Sequence, residues 1–211
     1  MAGTLPARDD RGVIKTSNLL AAAALALGML VAATPASPQG IYIGASAGST
    51  NFDSDIATGL ITSGTVEKSS SGYKLFVGYE FSEHFGAEIA YVDLGNASYS
   101  GSYFGLPVTG GTVEVWGLNL SAVGTLPLNS TFAVFGKVGL FAWEAKSKDT
   151  TGGFPFSDSV SGGDFSFGAG LRVRFFKNFS AHVEWERFGL TGYDYDLGNA
   201  DMLSAGIAYK F

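Results

Sequence analysis

From Gly40 to Phe211, apolar and polar residues alternate with a period of two rather than 3.6. Eight segments carry this alternation: Gly40–Phe52, Gly72–Phe81, Phe85–Gly95, Thr112–Leu126, Thr131–Glu144, Asp164–Phe175, Phe179–Gly189 and Asp201–Phe211. They are rich in Val, Ile, Phe, Tyr and Trp, which fit a pleated, half-buried surface, so the pattern predicts eight β-strands. The intervening stretches alternate in length. Residues 82–84, 127–130 and 176–178 read as tight turns, whereas 53–71, 96–111, 145–163 and 190–200 are long and rich in Gly, Ser, Thr and Asp. Short turns at one end, long loops at the other and an even number of strands near ~9–11 residues predict a membrane-crossing, up-and-down antiparallel β-barrel.

The two faces of the strands differ. One alternate set is nearly all apolar: Tyr73, Leu75, Val77, Tyr79 and Phe81, then Phe85, Ala87, Ile89 and Tyr91, with Trp116, Leu118, Leu120 and Ala122 further on. The other set holds Gly, Ser, Asn and nearly every mid-strand charge. Nothing in the sequence forms a helix that would cover the apolar face. A soluble sandwich or lipocalin-like barrel would bury that face and expose the charges together with Gly78, Gly86, Gly168 and Gly170. A closed barrel in lipid turns the apolar face outward and leaves no open edge. Aromatics cluster at the strand ends, with Phe81, Phe85, Phe132, Phe175, Phe179 and Phe211 near the short turns. Tyr91, Trp116 and Trp185 lie toward the long loops, as two interfacial girdles require.

Composition supports the membrane reading. Only 15% of residues are charged against 46% hydrophobic, low for a soluble surface, yet beyond the first few dozen residues no apolar run approaches the ~20 residues of a membrane helix. Residues 1–36 read as a secretory signal peptide ahead of a barrel domain at 37–211. Arg8, Arg11 and Lys15 precede the 15-residue apolar run Leu19–Ala33, and Thr34-Pro35-Ala36 supplies small residues at a cleavage site. A buried or membrane helix is the competing reading of that run, which is short for a span. No cysteine is present, which excludes a lipoprotein anchor, a disulfide framework and a thiolate metal site. Without residues 1–36 the chain keeps 10 basic and 17 acidic residues, a net charge of −7. An acidic chain with no basic cluster does not suit nucleic acid.

The stretch GYEFSEHFGAEIAYVDLG (78–95) and the terminal GIAYKF resemble the OmpA-like and opacity-protein-like family of eight-stranded outer-membrane barrels. The resemblance extends over about residues 40–211. It implies a bacterial outer-membrane location, contact with outer-membrane lipid and lipopolysaccharide, and handling by periplasmic chaperones and the barrel-assembly machinery. Ile207, Tyr209 and Phe211 match the terminal assembly signal of that family. The chain ends at the barrel, so the family's peptidoglycan-binding domain, and with it cell-wall anchoring, is not expected.

The inward set contains Lys74, Lys137, Arg172, Arg174 and Lys210 against Glu80, Glu88, Glu184 and Glu186, with His182 among them. Five cations nearly balance four anions, and the lumen of an eight-stranded barrel is just wide enough for its own side chains. If Phe175 pairs with Phe179, Arg172 faces His182, Gly170 faces Glu184 and Gly168 faces Glu186. Arg172 and Glu184 become diagonal neighbours. If Phe81 pairs with Phe85, Gly78 faces Glu88. Each glycine leaves room for a carboxylate to reach a cation. The expectation is a polar plug centred on Glu88, Lys137, Arg172 and Glu184.

Paired carboxylates and a histidine also suit acid–base chemistry, and some small outer-membrane barrels modify lipid A. Such enzymes need a nucleophilic Ser within reach of a His near the outer rim. His182 instead lies about three residues from a tight turn with Glu184 beside it, and His84 is in a turn. The expectation is therefore a non-enzymatic monomer with no cofactor. Asp194, Asp196, Asn199 and Asp201 loosely resemble a calcium loop without its spacing or terminal Glu, and read as a solvated acidic loop. The expected role is structural, or that of a surface antigen whose loops contact host or environment through Tyr99, Tyr103, Phe104, Phe154, Phe156, Tyr193 and Tyr195. The alternatives are a narrow pore and a lipid A-modifying enzyme.

Overall fold

A computed structural model of the chain describes residues 40–53, 63–191 and 196–211. The proposed signal segment, and Tyr193, Asp194 and Tyr195, lie outside the described residues. Nine strands follow one another: β1 (Gly40–Phe52), β2 (Ser63–Glu67), β3 (Ser69–Glu80), β4 (Phe85–Tyr103), β5 (Leu106–Pro127), β6 (Phe132–Thr151), β7 (Phe154–Arg174), β8 (Phe179–Thr191) and β9 (Asp196–Lys210). Eight of them close a ring in the order β1-β3-β4-β5-β6-β7-β8-β9, all neighbours antiparallel, with β9 returning to β1. The ninth, β2, stands outside the ring and pairs with the outer part of β4, Thr65 opposite Ser100. Its sequence, SGTVE, is too short and polar to register in an apolar alternation.

The tight turns set the register inferred from the sequence. Phe81 and Phe175 donate their N–H groups to the carbonyls of Phe85 and Phe179. Arg172 therefore sits opposite His182, Gly170 opposite Glu184, Gly168 opposite Glu186 and Gly78 opposite Glu88. A one-residue slip would reverse every side chain, and the aromatics bracketing each turn fix the phase.

Two of the expected long loops are not loops. Residues 96–111 and 145–163 continue the ladders of β4–β5 and β6–β7 into tight hairpins, with Tyr103 opposite Leu106 and Thr151 opposite Phe154. Gly152 (φ 59) and Gly153 (φ 88) form one tip, and Phe104 (φ 47) with Gly105 (φ 85) the other. Two consecutive left-handed residues make the tight turn whose twist matches the flanking strands. Much of 190–200 is likewise strand, in β8 and β9. β5 alone has 22 residues, about 70 Å of extended chain, roughly twice what a bilayer needs. The outward face records the transition. Below Trp116 it is apolar; beyond it come Glu114, Glu144, Lys146 and Lys148, and Lys148 Nζ donates to Glu114 Oε1 at 3.3 Å.

Within the bilayer span the outward residues are bare: Leu75, Val77, Leu140, Phe165, Leu171, Val183 and Ile207 are all exposed. Rings gather at both levels. Tyr91 contacts Tyr73 and Trp116 at centroid separations of 6.1 and 6.2 Å toward the hairpins. Phe179 lies 4.9 Å from Tyr209 and 6.2 Å from Phe175 toward the turns.

Candidate functional site

The barrel interior is where the chain concentrates its chemistry, because the inward set of each strand converges there. Lys74 of β3 lies between Glu184 (2.5 Å) and Glu186 of β8. Lys137 of β6 lies between Glu88 of β4 (2.7 Å) and Glu184 (2.8 Å). The chain Glu186–Lys74–Glu184–Lys137–Glu88 thus joins four strands across the lumen. All five residues are at most 6% exposed, and Lys74 and Glu184 are fully buried. Tyr42 of β1 donates its hydroxyl to Glu88 Oε2 at 3.0 Å. Nearby, the Ser166 hydroxyl donates to Asn119 Oδ1 at 2.8 Å. Buried ions held this way need both the Coulombic partner and the remaining hydrogen bonds.

Arg172 does not join this group. Its guanidinium donates to Glu80 Oε1 at 3.1 Å, and Lys210 pairs with the other oxygen of Glu80, forming a second cluster nearer the turns. Arg172 also lies over the rings of Tyr42 (5.7 Å) and Phe135 (5.2 Å). The diagonal contact with Glu184 expected from register is displaced because Lys74 and Lys137 already hold that carboxylate. A layer of rings separates the two clusters: Phe76 lies 5.5 Å from His182 and Phe135 6.3 Å from it. His182 is packed between aromatics, with no serine hydroxyl donating to it among the described hydrogen bonds. Arg174 is exposed at the turn end and forms no ion pair among the described residues.

The glycines make room, but mostly for rings. A Cβ at Gly78 would strike the Tyr42 ring, and one at Gly170 would meet Phe135 Cζ at 2.5 Å. Of the three glycines expected to face a carboxylate, only Gly168 has its space taken by a carboxylate stem, Glu186 Cγ at 2.5 Å. Tyr42, Phe76 and Phe135 are thus working parts of the interior that the charge pattern did not mark. Each faces a glycine across the β1–β3 or β6–β7 ladder, whose register none of the short turns 82–84, 127–130 and 176–178 sets.

Toward the hairpins the interior changes character. Leu94, Phe141, Trp143, Phe188, Leu190 and Met202 are fully buried there and form an apolar core continuous with Phe52, Val113 and Val115. The expectation of a polar lumen therefore fails for its outer half. Above this core the Tyr99 hydroxyl donates to Asp149 Oδ2 at 2.9 Å, and burial with that carboxylate pushes the phenol above its ordinary pKa. The acidic run before the C-terminus is tied down: Asp201 accepts twice from Arg187, at 2.8 and 2.6 Å, and Asn199 donates to Asp53 at 3.1 Å. Ile207, Tyr209 and Phe211 share the outward face of the last strand, with the Tyr209 and Phe211 rings 5.0 Å apart.

Comparison with known proteins places the chain. The family model described as outer membrane protein beta-barrel domain matches residues 19–211. Outer membrane protein A of Serratia marcescens is 27% identical over 156 residues, covering 72% of this chain and 42% of that protein. Outer membrane protein A of Yersinia pseudotuberculosis is 25% identical over 205 residues, covering 93% of this chain and 55% of that protein. The chain thus spans about half the length of these relatives. Among solved structures, Neisserial surface protein A superposes with a TM-score of 0.56 at 14% identity, covering 81% of this chain and 97% of that one. Ail of Yersinia pestis, solved in complex with the heparin analogue sucrose octasulfate, superposes with a TM-score of 0.50 at 19% identity, covering 82% and 97%.

Proposed function

The chain belongs to the outer-membrane protein β-barrel domain family, as a barrel of the bacterial outer membrane, and from that premise we propose that it is a closed, non-conducting scaffold. The observation that carries this reading is the buried chain of five ions from Glu186 to Glu88, capped by an apolar core. An ion entering meets paired charges from one side and an apolar layer from the other, each costly to cross. Its role is then to contribute an outer-membrane wall and to present the outer hairpins, where Phe104, Leu106, Phe154 and Phe156 are exposed for contact with surfaces or host molecules. The test is single-channel recording in planar bilayers. The purified chain is expected to give no steady openings; steady openings abolished by Glu184→Gln or Lys137→Met would establish a narrow pore instead.

Residues 1–36 act as a cleaved signal peptide, so the mass of the mature protein should correspond to a start at Ser37; retention of Leu19–Ala33 would refute it. Ile207, Tyr209 and Phe211 act as the terminal signal read by the assembly machinery, with periplasmic chaperones holding the chain beforehand. Lipid A chemistry finds no support in the surroundings of His182. Unchanged lipid A masses with and without the gene are the expected outcome.

A further inference from the structure

Below the ring layer, the turn end of the barrel opens into a cavity of about 470 Å³. Its wall carries Arg172, Arg174, Lys177 and Lys210 against two side-chain carboxylates, Glu80 and Glu83, and the α-carboxylate of Phe211. Glu80 is already shared between Arg172 and Lys210. Arg174 and Lys177 have no carboxylate within ion-pairing distance among the described residues. Four cations against three carboxylates leave the wall a formal surplus of one positive charge, in a chain whose overall balance is −6.

The positions of these cations follow from the fold. Arg172 and Arg174 are two residues apart on β7, so both project to the same side of the strand. Lys177 lies in the tight turn that follows, and Lys210 ends β9. Thr125 and Ser180 line the same wall. Guanidinium forks match the spacing of phosphoryl oxygens, and an ammonium adds a point charge. The volume admits a phosphate with its attached glycerol or sugar, but not a folded partner. We propose that this vestibule is a binding site for a phosphoryl dianion, held between Arg174 and Lys177 with Arg172 behind them. In this barrel class the short turns face the periplasm. Two sources present that chemistry there: the headgroup of an anionic phospholipid in the inner leaflet, and a soluble phosphate monoester.

The test places the full barrel in zwitterionic nanodiscs and follows the NMR signals of the Arg174 side chain and the Lys177 amide. Three probes are added in turn: inorganic phosphate, glycerol 3-phosphate, and phosphatidylglycerol in the disc. Saturable shifts with a Kd of about 1 mM or tighter for at least one probe are expected. Binding only to the soluble probes, or only to phosphatidylglycerol, assigns the source. The double variant Arg174→Gln/Lys177→Gln should weaken binding about tenfold or more, whereas Lys146→Gln/Lys148→Gln at the opposite end should leave it unchanged. If the double variant loses the dispersed spectrum of the barrel, Lys177→Gln, altered at an exposed turn residue, carries the comparison. Non-saturating shifts reproduced by chloride at matched ionic strength would overturn the proposal. So would a hexaglutamate peptide that binds more tightly than every phosphoryl probe, which would assign the vestibule to an acidic peptide.

Discussion

Replacing Lys137 by Met tests the interior most directly. Met preserves much of the side-chain length while removing the charge that Glu88 and Glu184 share at 2.7 and 2.8 Å. Each contact amounts to about 6 kcal/mol of Coulombic attraction at an effective dielectric of ~20, most of it offset by the desolvation of the ions. The single variant leaves Lys74 as the one cation of the chain facing Glu88, Glu184 and Glu186. Breaking a buried pair from one side typically costs about 3–5 kcal/mol, because the stranded charge remains buried. Among the described residues Glu88 then keeps only its hydrogen bond from Tyr42. Adding Glu88→Gln should recover much of the loss, since the remaining carboxylates, Glu184 and Glu186, still share Lys74. Urea unfolding from lipid vesicles, followed by Trp fluorescence, measures both variants. A single variant within about 1 kcal/mol of the parent, or a double variant no better than the single, would refute the coupling.

Smaller perturbations probe the parts around this network. Tyr42→Phe deletes the hydroxyl that Glu88 accepts and should cost about 1.5–3 kcal/mol in the same unfolding assay; no change would mean the hydroxyl is redundant. Gly78→Ala places a methyl in the Tyr42 ring and should cost about 1–3 kcal/mol, while Gly124→Ala, with nothing within 4 Å of the added atom, should stay within about 0.5 kcal/mol. Equal effects would refute the space argument. Phe104→Asn puts a residue that tolerates left-handed backbone where φ is 47° and should stabilise the β4–β5 tip by about 0.5–1 kcal/mol, read as slower amide exchange at Gly105.

The strands and their pairing were legible because the outward face is one-sided. Phe175 and Phe179, bracketing a turn too short to vary, set the partners of Arg172 and Gly168 without any knowledge of the third dimension. The outer half of the interior was hidden by the same rule. In Leu140–Trp143 and around Val115–Trp116 both faces are apolar, so alternation vanishes where the lumen is greasiest. β4 adds a bulge between Asp93 and Gly95, after which Ala97 and Tyr99 face inward in place of even-numbered residues. The hairpin tips were legible in principle from Gly152-Gly153, a turn-forming pair whose flanks are polar enough to read as loop. The ion-pair partner of Arg172, unlike its neighbour in the ladder, was not legible, because β7 and the Glu80 end of β3 meet only across the lumen.

The separation of the interior ions along the chain bears on how this protein enters a bilayer. Lys74 and Glu184 are 110 residues apart and Lys74 and Glu186 are 112 apart, and none of the five is neutralised within its own hairpin. A hairpin inserted alone would carry its ions into hydrocarbon without the partners they hold in the closed barrel, and Lys137 of the β5–β6 hairpin would have no interior carboxylate beside it, with a penalty of about 2–4 kcal/mol for a lysine near the midplane. Stepwise entry, one hairpin after another, would leave each of the native pairs unmade until its partner strand arrived. Only a sheet that curls shut as it crosses can present opposite charges to each other in time, so the side chains that seal the lumen also commit the chain to insert as a single cooperative event.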